Sequence, residues 1–219
     1  MPSLPIEFLQ FDDRADRAKY VATRYQDQLR GDLLDVGCWK RDIEHAAEGL
    51  NSYYGIDIGG DPTQVIDLEQ CERLPFDDAS FDCVVCTEVL EHLDHCHRVF
   101  DEIVRVTRPG GSIIISLPNC WRTMRSRIVK GRGTPRFYGL PPEPPEDRHK
   151  WFFNVTDVID FFDAQCKRHP LRVTQTHVQE QQRSAVGRGL RRMLHASQRS
   201  YLNRYADSTW VVLERQSDA

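Results

Sequence analysis

Carboxylates recur in this chain directly after short apolar runs, where open α/β sheets place ligands. Asp35-Val-Gly37-Cys38 follows the first run, and Asp57-Ile58 ends the second. Asp57 lies about 20 residues after Gly37, and its carboxylate has lone pairs enough to accept both hydroxyls of a ribose. Asp67-Leu68 ends a third stretch and Cys86-Thr87-Glu88 a fourth. These strand ends are the candidate ligand-binding positions. Glu91, His92, His95, Cys96 and His97 are a dense set of potential metal ligands. On a helix, Glu88 and His92 would touch, and His92 and Cys96 would share a face. An exposed, His-rich helix start explains the same residues, so no metal is expected. Cys83-Val-Val-Cys86 has CxxC spacing, but residues three apart on a strand face opposite sides. No Ser-His-Asp or Cys-His constellation is evident.

The elements that must position these residues alternate in type. Ile6 to Arg30 reads as an amphipathic helix, with Phe8, Phe11, Ala15, Ala18, Val21, Ala22 and Tyr25 toward one face and Gly31 at its end. Asp32 to Gly37 is a buried strand and turn, Asp42 to Leu50 a short helix, Tyr53 to Ile58 a strand, and Val65 to Leu68 another. A strand follows at Phe81, Val84 and Val85, entered from the acidic turn Asp77-Asp78-Ala79-Ser80. Val89, Leu90, Leu93, Val99, Phe100, Ile103 and Val104 then recur at helical spacing. Pro109-Gly110-Gly111 ends that helix, and Ser112 to Leu117 is an Ile-rich strand buried on both faces. Asn154 to Lys167 is a helix, Leu171 to Val178 and Ser208 to Glu214 are closing strands, and Ser184 to Tyr205 is a basic helical segment. Such alternation predicts an α/β protein with a doubly wound, mostly parallel sheet.

The ordered set Leu74-Pro-Phe, Ser80-Phe-Asp, Glu88-Val-Leu-Glu-His-Leu93 and Arg108-Pro-Gly-Gly111 resembles the class I S-adenosylmethionine-dependent methyltransferases, of the methyltransferase type 11 kind. The resemblance covers residues 30 to 120 well and the remainder in layout. It implies a Rossmann-like sheet with an antiparallel C-terminal strand, and S-adenosylmethionine as cofactor. It also implies that Asp35 and Gly37 open the turn beside the methionine part, that Asp57 takes the ribose, and that Asp67-Leu68 holds the adenine. The family commonly has D-x-G-x-G-x-G at that turn. Here Trp39 and Arg41 stand at the second and third glycine positions.

Methyl transfer from a sulfonium is an in-line displacement in which the protein aligns donor and acceptor and excludes water. An acceptor hydroxyl would need a base, and His149 is the candidate. Its setting, Glu146 to Phe153, resembles H-x-x-F-F segments of methyltransferases in surface-glycan pathways. A loop anchored by Trp151 and Phe152 is the purely structural reading. The expected acceptor is a small molecule or glycan, methylated at oxygen. The rivals are a catalytically silent methyltransferase-like binding module, which Trp39 and Arg41 favour, and an RNA methyltransferase. A nicotinamide oxidoreductase is disfavoured because G-x-G-x-x-G is absent. Against nucleic-acid amino methylation, the fourth strand ends Cys-Thr-Glu-Val rather than Asp/Asn-Pro-Pro-aromatic.

The chain has 219 residues and a net charge of −4. Residues 1 to 120 sum to about −12 and residues 121 to 204 to about +10, an acidic scaffold followed by a basic surface. One domain is expected, with a basic lid inserted at 120–153 and a basic helical insertion at 181–206. The lid carries Arg122, Arg125, Arg127, Lys130, Arg132 and Arg136, and the Pro-rich run 140–145. The later segment carries Arg188, Arg191, Arg192, Arg199 and Arg204 among Leu190, Met193, Leu194 and Leu202. An anionic acceptor or an anionic membrane surface suits these guanidiniums better than nucleic acid, and a solvated basic face explains them too. The sequence sets no oligomeric state. The seven scattered cysteines suggest reduced thiols. With no run of transmembrane length and no basic-then-apolar leader, a cytoplasmic location is expected.

Overall fold

In a computed structural model, residues 4–133, 138–139, 142–143, 148–182 and 184–217 are described. Arg136, most of the Pro-rich run and Glu146-Asp147 lie outside them. Eight strands form one sheet: β1 (Ile6–Phe8), β2 (Gly31–Val36), β3 (Leu50–Asp57), β4 (Gln64–Val65), β5 (Phe81–Thr87), β6 (Thr107–Pro118), β7 (Leu171–Glu180) and β8 (Ser208–Arg215). Their order is β1-β7-β8-β6-β5-β2-β3-β4. All neighbours pair in parallel except β8, which runs antiparallel to both β6 and β7.

Both faces of the sheet are covered, which is why its central strands are apolar throughout rather than alternating. On one face α1 (Arg14–Arg24) and α2 (Asp42–Ala46) bring Ala18, Val21 and Ile43 onto Leu33, Cys83, Val85, Ile114 and Trp210. On the other, α3 (Cys96–Val106) and α5 (Val155–Arg168) pack Phe100, Ile103, Val158 and Phe162 on Leu34, Val84, Cys86 and Ile113. Cys83 and Cys86 thus belong to opposite faces, as their strand spacing requires. Beyond the main layers lie α4 (Cys120–Val129), α6 (Ala185–Met193) and α7 (Gln198–Tyr205).

Several expected elements are placed differently. Ile6–Phe8 is an edge strand on β7 rather than helix, because Asp13 caps α1 by accepting from the Asp16 N–H, and the helix starts only there. That helix ends at Arg24, and Gly31, at φ +72°, instead opens β2. Leu50 belongs to β3, and Asp67-Leu68 follows β4 rather than forming it. The expected helix from Val89 onward is broken. Leu90–His92 is a single 3₁₀ turn, and α3 begins at Cys96. Glu88 adopts φ +58°, outside any helix, so neither the Glu88–His92 nor the His92–Cys96 helical pairing exists. Pro109-Gly110-Gly111 does not stop α3; the helix ends at Val106, and the three residues run within β6. The 120–153 segment starts as helix α4, capped by the Asn119 side chain, and 181–206 is two helices rather than one.

Candidate functional site

The C-terminal ends of β2, β3 and β5 open onto a cavity of about 680 Å³, within the usual range for small-molecule sites. Of the sequence-predicted residues, Gly37, Asp57, Ile58, Asp67, Leu68, Thr87 and Glu88 line it. Asp35 and Cys38 do not. Both are buried beneath the β2 turn, at a small adjoining pocket that Gly37 and Thr87 share. Asp35 Oδ2 accepts from the Tyr53 hydroxyl at 2.8 Å. Burial pushes the Asp35 carboxyl up to about 7, against the pull of that hydrogen bond. Burial likewise pushes the Cys38 thiol up to about 12, with the Asp35 and Asp57 carboxylates adding to it.

The β2 turn keeps a glycine-like backbone without its second and third glycines. Gly37 has φ +79°, and a Cβ there would stand 2.3 Å from Val89 Cγ2. Trp39 and Arg41 adopt φ +53° and +58°, the left-handed region that glycine favours. Their surroundings offset the strain. The Trp39 N–H donates to Asp57 Oδ2 at 2.9 Å, and its carbonyl accepts from the Asp61 N–H at 2.7 Å. The Arg41 guanidinium pairs with Asp61 and Glu44. The indole of Trp39 forms one cavity wall, covered by the Arg14 guanidinium 5.2 Å from its ring centre.

The opposite end of the cavity is built by the turn after β5. Glu88 turns the chain with its positive φ, its N–H donating to the Ser116 carbonyl. Burial holds its carboxyl above the usual carboxylate range; Arg17 and the Ser208 and Ser116 hydroxyls act the other way. The following 3₁₀ turn sends Glu91 inward and leaves His92 lining the cavity. Residues 148–153 are stitched to this turn. The Lys150 N–H donates to the Glu91 carbonyl and Trp151 Nε1 to the Leu93 carbonyl, while Lys150 Nζ pairs with Asp94 and Glu69.

His149, the expected base, is not itself in the cavity wall, although Arg148 and Lys150 beside it are. Its ring meets that of His92 edge to face, and Nδ1 lies 2.6 Å from the Tyr138 hydroxyl. Sequence reasoning missed Arg14, Gln70, Val89 and Arg148 in the wall, and it weighed Trp39 as an obstruction rather than a wall. Arg14 sits on α1, and nothing in its local pattern points to a site. Val89 and Arg148 adjoin the predicted Glu88 and His149 and could have been found by that adjacency. Of the lid arginines, Arg122 pairs with Asp207, Arg125 covers Tyr205, and Arg127 donates to the Gly133 carbonyl. Among the described residues, the arginines of the cavity are Arg14 and Arg148.

These residues fit S-adenosylmethionine. The Cβ-free Gly37 admits close backbone approach, Asp57 offers a carboxylate to a diol, and Asp67 with Leu68 and Ile66 lines another part of the cavity. A profile described as "Methyltransferase domain" matches residues 34–115. The ubiquinone biosynthesis O-methyltransferase of Vibrio atlanticus is 26% identical over 163 residues, 67% of this chain and 67% of that protein. That of Cronobacter sakazakii is 24% identical over 197 residues, 82% of this chain and 79% of that protein. In fold, an S-adenosylmethionine-dependent methyltransferase from Mesorhizobium loti superposes with a TM-score of 0.54 at 18% identity, covering 90% of this chain and 98% of that one. The sheet order, the strand-end cavity and these matches together make residues 34–115 a methyltransferase domain and give the chain the Rossmann-like fold of S-adenosylmethionine-dependent methyltransferases.

Proposed function

We propose that the protein transfers a methyl group to an oxygen of a small-molecule or glycan-type acceptor. The observation that carries this reading is the continuity of one cavity. Gly37, Asp57 and Asp67 line one part of it, and His92, backed by Glu91 and His149, lines another. When bound, S-adenosylmethionine supplies an electrophilic methyl group. Asp57 would accept from the ribose hydroxyls, Asp67 and Leu68 would hold the adenine, and Gly37 would leave room for the methionine part. Thr87 and Glu88 lie between these residues and the His92 end. The imidazole cluster promotes loss of the acceptor's hydroxyl proton, while Val89 and Leu93 keep that end apolar and exclude water. The names of the relatives support oxygen as the methylated atom. The left-handed backbone retained at Trp39 and Arg41 supports cofactor binding over a silent module.

The test is calorimetric titration with S-adenosylhomocysteine, followed by methyl-transfer assays on sugar and phenolic hydroxyl acceptors. His149→Ala is expected to cut turnover at least 30-fold with cofactor affinity within threefold. No binding of S-adenosylhomocysteine or S-adenosylmethionine by the folded protein would replace the reading with a silent binding module.

A membrane-surface contact is part of the reading. The α4 and α6 helices converge on Tyr205, whose ring carries Arg125 at 5.6 Å and Arg191 at 5.1 Å. Ile128, Val129, Leu190 and Met193 stand exposed beside them, an apolar and basic combination that suits an anionic lipid surface. Among the described residues no helix is long and apolar enough to cross a membrane.

A further inference from the structure

Two segments distant in sequence bring Glu91, His92 and His149 together, with one ligand atom of each within 4.8 Å of the others. We propose that these three side chains hold a divalent transition-metal ion, Zn²⁺ or Mn²⁺, at the acceptor end of the cavity. Two imidazoles and one carboxylate on one side of an ion form a familiar donor set that leaves positions open for water or substrate oxygens. The proposal rests on the hydroxyl-methylation reading above and names how that site activates its acceptor.

The hydrogen bonding around the cluster orients it as a ligand set. His92 Nδ1 lies 3.1 Å from the Arg148 carbonyl, which can only accept, so Nδ1 carries the proton and Nε2 the lone pair. That Nε2 faces Glu91 Oε1 at 3.7 Å. Ligand atoms on a single ion with bonds of about 2.1 Å stand about 3.0–3.4 Å apart, so this pair needs only a small contraction. His149 Nδ1 lies 2.6 Å from the Tyr138 hydroxyl, which, by accepting from an Nδ1–H, leaves the Nε2 lone pair for the ion. Glu91 is 1% exposed. His92 lines the cavity, so an ion there would meet an incoming acceptor.

Open positions on one side favour an acceptor that presents two neighbouring oxygens, such as a vicinal diol. A coordinated hydroxyl releases its proton to solvent. Its oxygen keeps the electron pair that forms the new carbon–oxygen bond, and the pair of the broken carbon–sulfur bond stays on sulfur.

The experiment is calorimetry of the chelator-treated full-length protein with Zn²⁺ and with Mn²⁺, alongside Glu91→Gln, His149→Gln and the exposed control His95→Gln. One ion per chain with micromolar affinity is expected. Glu91→Gln and His149→Gln should weaken it at least 30-fold, and His95→Gln by less than twofold. No binding by the folded wild-type protein, or binding that both cluster variants retain, overturns the site. S-adenosylhomocysteine titration of the same chelated sample separates the two readings. Cofactor binding with full methyl transfer in chelator overturns the metal role while the methyltransferase reading stands. Metal bound as expected, with no methyl transfer to any hydroxyl acceptor, overturns the activated-acceptor role instead.

Discussion

The backbone N–H of Trp39 donates to the Asp57 carboxylate at 2.9 Å, tying the β2 turn to the end of β3. Asp57 Oδ1 also accepts from the Gly59 N–H at 3.1 Å. Each oxygen keeps a second lone pair for a ligand hydroxyl. Asp57→Ala should therefore weaken S-adenosylhomocysteine binding about 100-fold, on the order of 3 kcal/mol. Asp57→Asn, which keeps an acceptor oxygen, should lose less. Calorimetry checks this, with thermal melts to confirm that the turn survives; affinity within threefold of wild type for Asp57→Ala would refute the role.

Trp39 both strains the turn and walls the cavity. Trp39→Gly should relieve about 1 kcal/mol of left-handed backbone strain. Removing the indole should nonetheless raise the dissociation constant for S-adenosylhomocysteine about fivefold, about 1 kcal/mol of lost contact. Trp39→Ala keeps the strain and loses the wall, so it should be the less stable of the two at equal affinity. Denaturant titration beside calorimetry separates the two effects.

Asp35 and His177 give opposite pH dependences of stability. Burial pushes the Asp35 carboxyl up to about 7, so between about 4 and 7 the native chain holds a proton that the unfolded chain has released. Stability then falls as pH rises through that window. Burial pushes His177, stacked on Trp210, down to about 4. Below about 6.5 the unfolded chain takes up the proton first, and stability falls as pH drops toward 4. Each slope amounts to on the order of 3 kcal/mol at full extent. Asp35→Asn should leave stability rising from pH 4 to 7, and His177→Gln should leave it falling. Urea denaturation at several pH values reads both; unchanged profiles in both variants would contradict the assignment.

The basic and apolar patch on α4 and α6 should bind vesicles of anionic lipid and ignore neutral ones. Leu190→Glu with Met193→Glu should reduce cosedimentation with phosphatidylglycerol vesicles at least tenfold. Raising salt to 0.5 M should weaken binding by screening Arg125 and Arg191. Equal binding by the variant would remove these helices as the contact.

The positions of most strands and the strand-end carboxylates were legible because both are local. A buried strand writes an unbroken apolar run, and the cavity's carboxylates sit at such ends, as at Asp57, the last residue of β3, and Glu88, one step past β5. Element bounds were less legible where one residue redirects the chain. Glu88 takes a left-handed conformation that no propensity signals, and it turns an expected helix into a 3₁₀ turn followed by α3.

By itself, then, the sequence determined a two-faced parallel sheet and most of the cofactor end of its cavity, because periodicity and strand ends are properties of neighbouring residues. Only the tertiary structure decided that Arg14 and Trp39 would form a wall. The same holds for His149, which reaches His92 rather than entering the cavity itself. Those outcomes depend on hydrogen bonds between distant segments, from Trp39 to Asp57 and Asp61 and from Lys150 and Trp151 to the turn after β5, which no local pattern encodes.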